Sequence, residues 1–209
     1  MNHRFLLTAI LLFSTLPVCA QLEFSATKLV DQYQDEFRHI YRPGHTYLFS
    51  LGVNDRERNK RSTLTGNFGY GRYTPKADTF PTIIARNEIF GYDTYSDYQV
   101  FQLTLSLRRD FIVWRHLELY VGMEMGYHFT SYRQTRYKGN VKDSDRFVES
   151  RLPLIPFVGI SIPIHGFCLF AQSQYNFSLD RSDDNSRNLF NRIWSNGVGI
   201  RYRLEEPLE

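Results

Sequence analysis

Glu124 and His128 stand four residues apart in a stretch, 117–130, that alternates strictly between apolar and polar side chains. A carboxylate and an imidazole are the parts of a general acid–base pair. In extended chain, however, four residues separate them by about 13 Å, and packing inside the protein is the better expectation. Arg108, Glu118, Arg151, Arg201 and Arg203 share the polar parity of their segments, with Arg86 and Glu88 as additions. Charges of both signs gathered on one inner face would either line a gated pore or pair off into a solid plug. An unpaired buried ion is very costly, so the plug is preferred, with Arg108 and Glu118 facing each other across the turn at 110–115. The run Asn54-Asp55-Arg56-Glu57-Arg58-Asn59-Lys60-Arg61 offers Arg56, Arg58, Lys60 and Arg61 to phosphate groups, or else serves as a solvated rim. His3, His39, His45, His116, His128 and His165 show no ligand spacing, and Asp180, Asp183 and Asp184 lack the pattern of a calcium loop. No metal and no cofactor is expected.

These residues need a frame that turns alternate side chains to opposite sides. Leu117, Leu119, Val121, Met123, Met125, Tyr127 and Phe129 form one row, and Glu118, Tyr120, Gly122, Glu124, Gly126, His128 and Thr130 the other. That is a strand with one greasy and one polar face. Segments 47–54, 64–71, 101–108, 167–177 and 197–204 read likewise; 149–162 is apolar on both faces, and 82–91 is ambiguous. Links at 134–148 and 179–191 are long and charged, whereas 110–115 and 163–166 are tight. Such asymmetry marks membrane barrels, with short periplasmic turns and longer external loops. The expectation is all-β: an eight-stranded antiparallel up-and-down transmembrane β-barrel over 46–204, both ends periplasmic, with a short tail at 205–209.

Alternation alone does not separate this from a soluble barrel. Lysine placement does: Lys28, Lys60, Lys76, Lys138 and Lys142 fall outside the predicted strands, where a soluble barrel would carry lysine on its wet face. Residues 117–129 extend about 41 Å, or about 31 Å after a tilt near 40°, enough for an apolar band of about 25 Å. Arg72 and Arg109 keep outward parity and are expected near periplasmic ends, where long cationic chains reach headgroups.

The compartment follows from residues 1–20: a polar start with Arg4, an apolar run from Phe5 to Val18, and Cys19-Ala20 before Gln21. A secretory signal peptide cut after Ala20 is the expectation, leaving Cys168 without a disulfide partner. The formal net charge of +3 gives no argument for nucleic acid. The expected partners are outer-membrane lipid and lipopolysaccharide, the latter at the charged loop, and the chain is expected to be a monomer. Residues 26–41 carry Leu29, Val30, Tyr33, Phe37, Ile40 and Tyr41 on one helical stripe, so 21–45 is read as a periplasmic amphipathic helix and linker.

The layout resembles the lipid A palmitoyltransferases, eight-stranded barrels that begin with a surface helix. Tyr41-Arg42-Pro43, Phe68-Gly69-Tyr70-Gly71-Arg72-Tyr73 and Leu152-Pro153-Leu154-Ile155-Pro156 carry the likeness. The resemblance implies a catalytic pair at Asp93-Thr94 and an acyl pocket inside the barrel. It also implies a histidine five residues after Pro43, where this chain has Leu48; His45 has the wrong parity. Without that base, acyl transfer lacks a proton acceptor. The leading expectation is a non-enzymatic barrel with a structural, adhesive or envelope-stabilising role, and the rival is an acyltransferase acting on lipid A.

Overall fold

The computed structural model describes residues 21–33, 37–57, 60–84, 88–114, 116–178 and 192–204. The expected signal peptide, Arg58, Arg86, the three aspartates of 179–191 and the tail lie outside them. Eleven strands are described: β1 (Gln21–Tyr33), β2 (Gly44–Glu57), β3 (Lys60–Tyr73), β4 (Phe80–Ile84), β5 (Glu88–Tyr95), β6 (Tyr98–Trp114), β7 (Leu117–Lys138), β8 (Val141–Arg151), β9 (Pro153–Ile164), β10 (Phe167–Ser178) and β11 (Arg192–Arg203). One helical turn, α1 (Phe37–Ile40), joins β1 to β2.

Eight staves close into a barrel in the order β1-β2-β3-β6-β7-β9-β10-β11 and back to β1, every neighbour antiparallel. β8 and β9 are one stave interrupted at Leu152, since both pair with β7. The stagger can be followed across the register. From Gln21 the partners run Asn54, Thr63, Arg108, Gly122, Phe157, Gln174 and Ser195, and the path returns to β1 at Asp31. A ten-residue offset over eight strands fixes a tilt of about 40° and a radius of about 8 Å. Such a barrel is just wide enough for its own side chains to fill.

The parities read from the sequence hold for the predicted staves. Phe49, Leu103, Leu105, Leu107, Val121, Met123 and Val198 are exposed on the outer wall, while Glu118, Glu124, His128, Arg201 and Arg203 are buried inside. The apolar character of 149–162 on both faces arises because Ile155 and Phe157 point inward and are buried. Glycines inside make room for large neighbours: a Cβ on Gly159 would lie 2.3 Å from the Tyr120 hydroxyl, and one on Gly199 2.4 Å from the Phe170 ring.

Two expectations about the staves are corrected. The helix over 26–41 is not formed as read: Gln21–Tyr33 is β1, paired on both edges, and among the described residues of that stretch only α1 is helical. The apolar residues of 26–41 fit a helical stripe, but the barrel needs an eighth strand between β11 and β2, and pairing two edges outweighs local pattern. The barrel therefore runs from Gln21 to Arg203, and 21–45 is no separate linker. Conversely, 82–91 supplies no stave. β4 and β5 form a hairpin that pairs with the far end of β7, at Gln134–Tyr137, while β3 pairs directly with β6.

Both described ends of the chain and the connections β2–β3, β6–β7 and β9–β10 share one mouth of the barrel, from the strand order and directions. The last of these is a tight turn at His165 (φ 46°) and Gly166 (φ 83°). The opposite mouth carries α1, the β4–β5 hairpin and the β7–β8 hairpin, which turns at Gly139 and projects beyond the wall. The stretch 134–148 is thus ordered ribbon rather than loop. Arg109 lies towards the tight-turn mouth as expected. Arg72 does not: it is at the opposite mouth, paired with Asp97.

Candidate functional site: the closed lumen

Nearest the tight-turn mouth, alternation along five strands delivers four arginines and three carboxylates to one level. The register sets Glu23 opposite Arg203, Ser25 opposite Arg201, and Arg61 opposite Asp110. Glu23 accepts from Arg108 Nη2 at 2.8 Å and Arg203 Nε at 3.2 Å, with Arg201 Nε at 3.1 Å from its other oxygen. Arg108 Nε donates to Asp110 at 2.8 Å. Arg203 forks onto Glu118 at 3.1 and 2.9 Å, Arg61 adds a contact at 3.4 Å, and Ser161 Oγ donates at 3.0 Å. The guanidinium of Arg201 lies 4.7 Å from the Phe170 ring centroid and 5.2 Å from that of Tyr120. Pairing with hydrogen bonds is the condition under which buried ions persist. Arg108 and Arg203 meet it, whereas Arg201 is held by the Glu23 charge and the two rings, its Nε and Nη1 finding no hydrogen-bond acceptor among the described residues.

Arg108, Glu118, Arg201 and Arg203 were expected here and are brought together. The expected Arg108–Glu118 pair is not formed; the carboxylates of Arg108 are Glu23 and Asp110, because in register Arg108 faces Gly122 and Glu118 faces Ile112. Glu23, Asp110 and Arg61 were missed as lumen residues. Each falls in a segment read as helix, turn or loop; continuing the parity of 101–108 and 64–71 turns Asp110 and Arg61 inward, whereas Glu23 lies in a segment read as helix and linker, with no strand parity to extend.

Above the plug, Glu124 is buried and accepts a hydrogen bond from Thr104 Oγ1, which itself accepts from Asn67 Nδ2 at 3.2 Å. His128 is a separate group further along, 3.5 Å from Asn176 Nδ2. Both are interior, as read, and they form no dyad. Asp31, inside the wall, accepts from Thr46 and Tyr73 at 2.7 Å each, and from Ser195. Two cavities of about 30 Å³ interrupt the packing, one between plug and Glu124, the other beside His128. Each has room for one or two waters.

The opposite mouth is closed by rings. α1 drives Phe37 into a cluster with Tyr41, Tyr73, Tyr98 and Val100. Phe37 stacks on Tyr41 at 4.3 Å and meets Tyr98 edge-on at 5.2 Å. The Tyr41 hydroxyl donates to the Ser96 carbonyl at 3.1 Å. Burial, then the neighbouring tyrosines, raises the Tyr41 phenol. Tyr132, on the projecting part of β7, is pushed up to about 12 by burial and the Glu149 charge. At neutral pH this lid is a neutral, hydrogen-bonded apolar stopper.

The other expected sites behave differently. Asp93 and Thr94 lie on β5 in the projecting sheet. Asp93 accepts from Arg136 Nε at 3.2 Å and Gln134 Nε2 at 3.0 Å, and Thr94 Oγ1 reaches the Thr135 carbonyl at 3.5 Å. That is a cross-strand brace, with no histidine hydrogen-bonded to either residue among the described residues. Leu48 is buried in the lumen and His45 points outward. The basic run is corrected too: β2 and β3 are bridged tightly there, on the mouth that holds the chain ends. Lys60 is exposed, Arg61 is buried in the plug, and Arg56 belongs to the end of β2. It forms no loop on the long-connection side.

No family model and no curated protein matches the sequence. Among solved structures, Neisserial surface protein A is similar at 16% identity, covering 88% of this chain and 96% of that one, with a TM-score of 0.49. The outer-membrane protease OmpT from Escherichia coli follows at 10%, 88%, 95% and 0.48. Ail, the attachment invasion locus protein of Yersinia pestis, stands at 11%, 88%, 97% and 0.46. An enzyme and an attachment protein therefore stand side by side among the neighbours, and no activity passes from them to this chain. What its own register establishes is an eight-stranded, up-and-down transmembrane-type β-barrel.

Proposed function

We propose that the chain is an integral outer-membrane protein without catalytic activity, a closed barrel that presents its projecting β4–β5 and β7–β8 ribbons on the cell surface. The observation that carries this reading is the distribution of its side chains: a predominantly apolar outer wall and an ion-paired interior. The outer rows hold Leu105 and Leu107, each 63% exposed, and Val198, 65% exposed. A monomer in water rarely shows contiguous apolar surface beyond a few hundred Å². Two aromatic girdles bound the band. Phe111, Trp114, Phe167 and Tyr202 ring the tight-turn mouth, and Tyr47, Tyr70, Phe101, Tyr127, Phe177 and Trp194 ring the other. From Phe111 to Phe101 is about 33 Å of strand, or about 25 Å across the membrane at this tilt, which is the height of a barrel's lipid band.

Short turns with both chain ends belong to the periplasmic side in such barrels, which supports the reading that the ribbons face outside. The closed lumen speaks for a structural or adhesive role: acyl chains entering on the side of Asp93 would have to displace the Phe37–Tyr98 stopper and the buried side chains around His128 and Glu124, and Asp93 is engaged by Arg136. The test compares lipid A from cells with and without the protein by mass spectrometry, alongside membrane fractionation. Extraction only by detergent, a heat-modifiable gel shift and unchanged lipid A acylation are expected. An altered acyl pattern overturns the non-enzymatic reading, and a protein monodisperse in plain buffer overturns the membrane one.

A further inference from the structure

The sequence places Lys28 outside the membrane strands, and the fold puts it on one. Lys28 is exposed on the outer wall of β1, in register with Tyr47 on one side and Val198 on the other. Its ammonium lies 5.9 Å from the Tyr47 ring centroid, and no carboxylate is within ion-pair distance among the described residues. At the girdle a lysine stem can lie along the apolar wall while its ammonium reaches the headgroups, where it is available to a lipid phosphate. A further polar group, Asn196, sits on the neighbouring strand. Asn196, partner of Val30 across β1–β11, accepts from Ser173 Oγ at 2.7 Å and Trp194 Nε1 at 3.3 Å. Its own amide N–H groups meet no acceptor among the described residues.

Directly towards the membrane centre, the wall is hollowed. Ala26 is a small side chain in register with Phe49 and Ile200, and its methyl leaves a crevice of about 560 Å³. Leu169, Val198 and the Lys28 stem complete its sides. It is an open groove along the outer wall rather than an enclosed pocket. Cation and amide stand at the girdle, where headgroups lie, and the apolar crevice runs below them, where acyl tails lie.

We propose that this face binds a phosphate-bearing acyl lipid of the leaflet on the long-connection side. Lys28 and Asn196 hold the phosphate, and one acyl chain lies over Ala26. Polar groups at one end and a greasy groove at the other match an amphiphile rather than a second copy of the barrel. The proposal rests on the orientation argued above, which makes that lipid lipopolysaccharide.

The full-length protein in nonionic detergent is titrated with purified lipopolysaccharide, and separately with phosphatidylcholine, and adducts are counted by native mass spectrometry. Lipopolysaccharide is expected to be retained preferentially. K28Q, which removes about 1 kcal/mol of attraction, lowers its affinity about fivefold. A26F, which fills the crevice and keeps the charge, also weakens it, whereas R109Q at the other girdle leaves it unchanged. Equal retention of both lipids, or indifference to both K28Q and A26F, overturns the site while leaving the membrane barrel standing. A dimer whose formation is abolished by A26F does the same, by assigning the face to a second copy. A protein that needs no detergent removes the underlying reading instead.

Discussion

Replacing Glu23 with glutamine removes one negative charge and almost no volume. Glu23 is 1% exposed and serves three guanidiniums, with contacts at 2.8 Å to Arg108, 3.1 Å to Arg201 and 3.2 Å to Arg203. The three are not equally dependent on it. Arg108 keeps Asp110 at 2.8 Å, and Arg203 keeps Glu118 at 2.9 Å. Arg201 has Glu23 as its ion-pair partner and otherwise rests on the rings of Tyr120 and Phe170. The cost of E23Q is therefore the cost of one stranded guanidinium. Breaking a buried pair by removing one partner costs about 3–5 kcal/mol. The lower end applies here, about 3 kcal/mol, since two of the three arginines retain carboxylates. With a urea slope of about 1–3 kcal/mol per molar, the unfolding midpoint falls by roughly 1–3 M. The assay is reversible urea unfolding in lipid vesicles, followed by gel mobility and by fluorescence of Trp114 and Trp194. R201Q in the E23Q background should restore most of the loss, because the stranded charge is then gone, and the two changes should be strongly non-additive. E23Q within about 0.5 kcal/mol of the parent, as for an ordinary surface change, would refute the account of the plug.

Three more outcomes are expected. The parent protein in planar bilayers should give no unitary conductance steps, whereas R108S/R201S/R203S, which empties the level of Glu23 and Asp110 of most of its bulk, should give them. Steps from the parent would show an open path. Leu105→Arg should destabilise the inserted barrel by about 2–4 kcal/mol, because that position faces mid-band lipid, while Val148→Arg on the projecting ribbon should cost close to nothing; equal effects would misplace the band. Gly159→Val should cost about 1–3 kcal/mol through its clashes with the Tyr120 ring and the Ala171 carbonyl, and a Y120A background should recover only the share due to the ring. Urea titration of the four proteins checks it.

The alternation over 117–130 and 101–108 was enough to say which side chains face lipid and which face inward. Period two is a property of the pleat and needs no tertiary information. Glu118, Glu124, His128, Arg201 and Arg203 lie buried inside the barrel for that reason. Where alternation breaks, the sequence misled. β1 turns Lys28 outward and Leu29 inward, against polarity, because Lys28 reaches the girdle and Leu29 is buried against Gly197. The same residues also fit a helix, and only the two open edges of β11 and β2 decide between them. The basic run at 54–61 was legible as charge, but not as a tight link at the mouth of the chain ends, since its side of the membrane depends on how many strands precede it. Likewise the pairing of Arg108 with Glu23 follows from the closure that brings β1 round into the barrel, whereas Asp110 is its neighbour two residues along the same strand. Which face a residue occupies is set by its neighbours in the chain; which residue it meets is set by closure of the barrel, a constraint that exists only once all eight strands are in place.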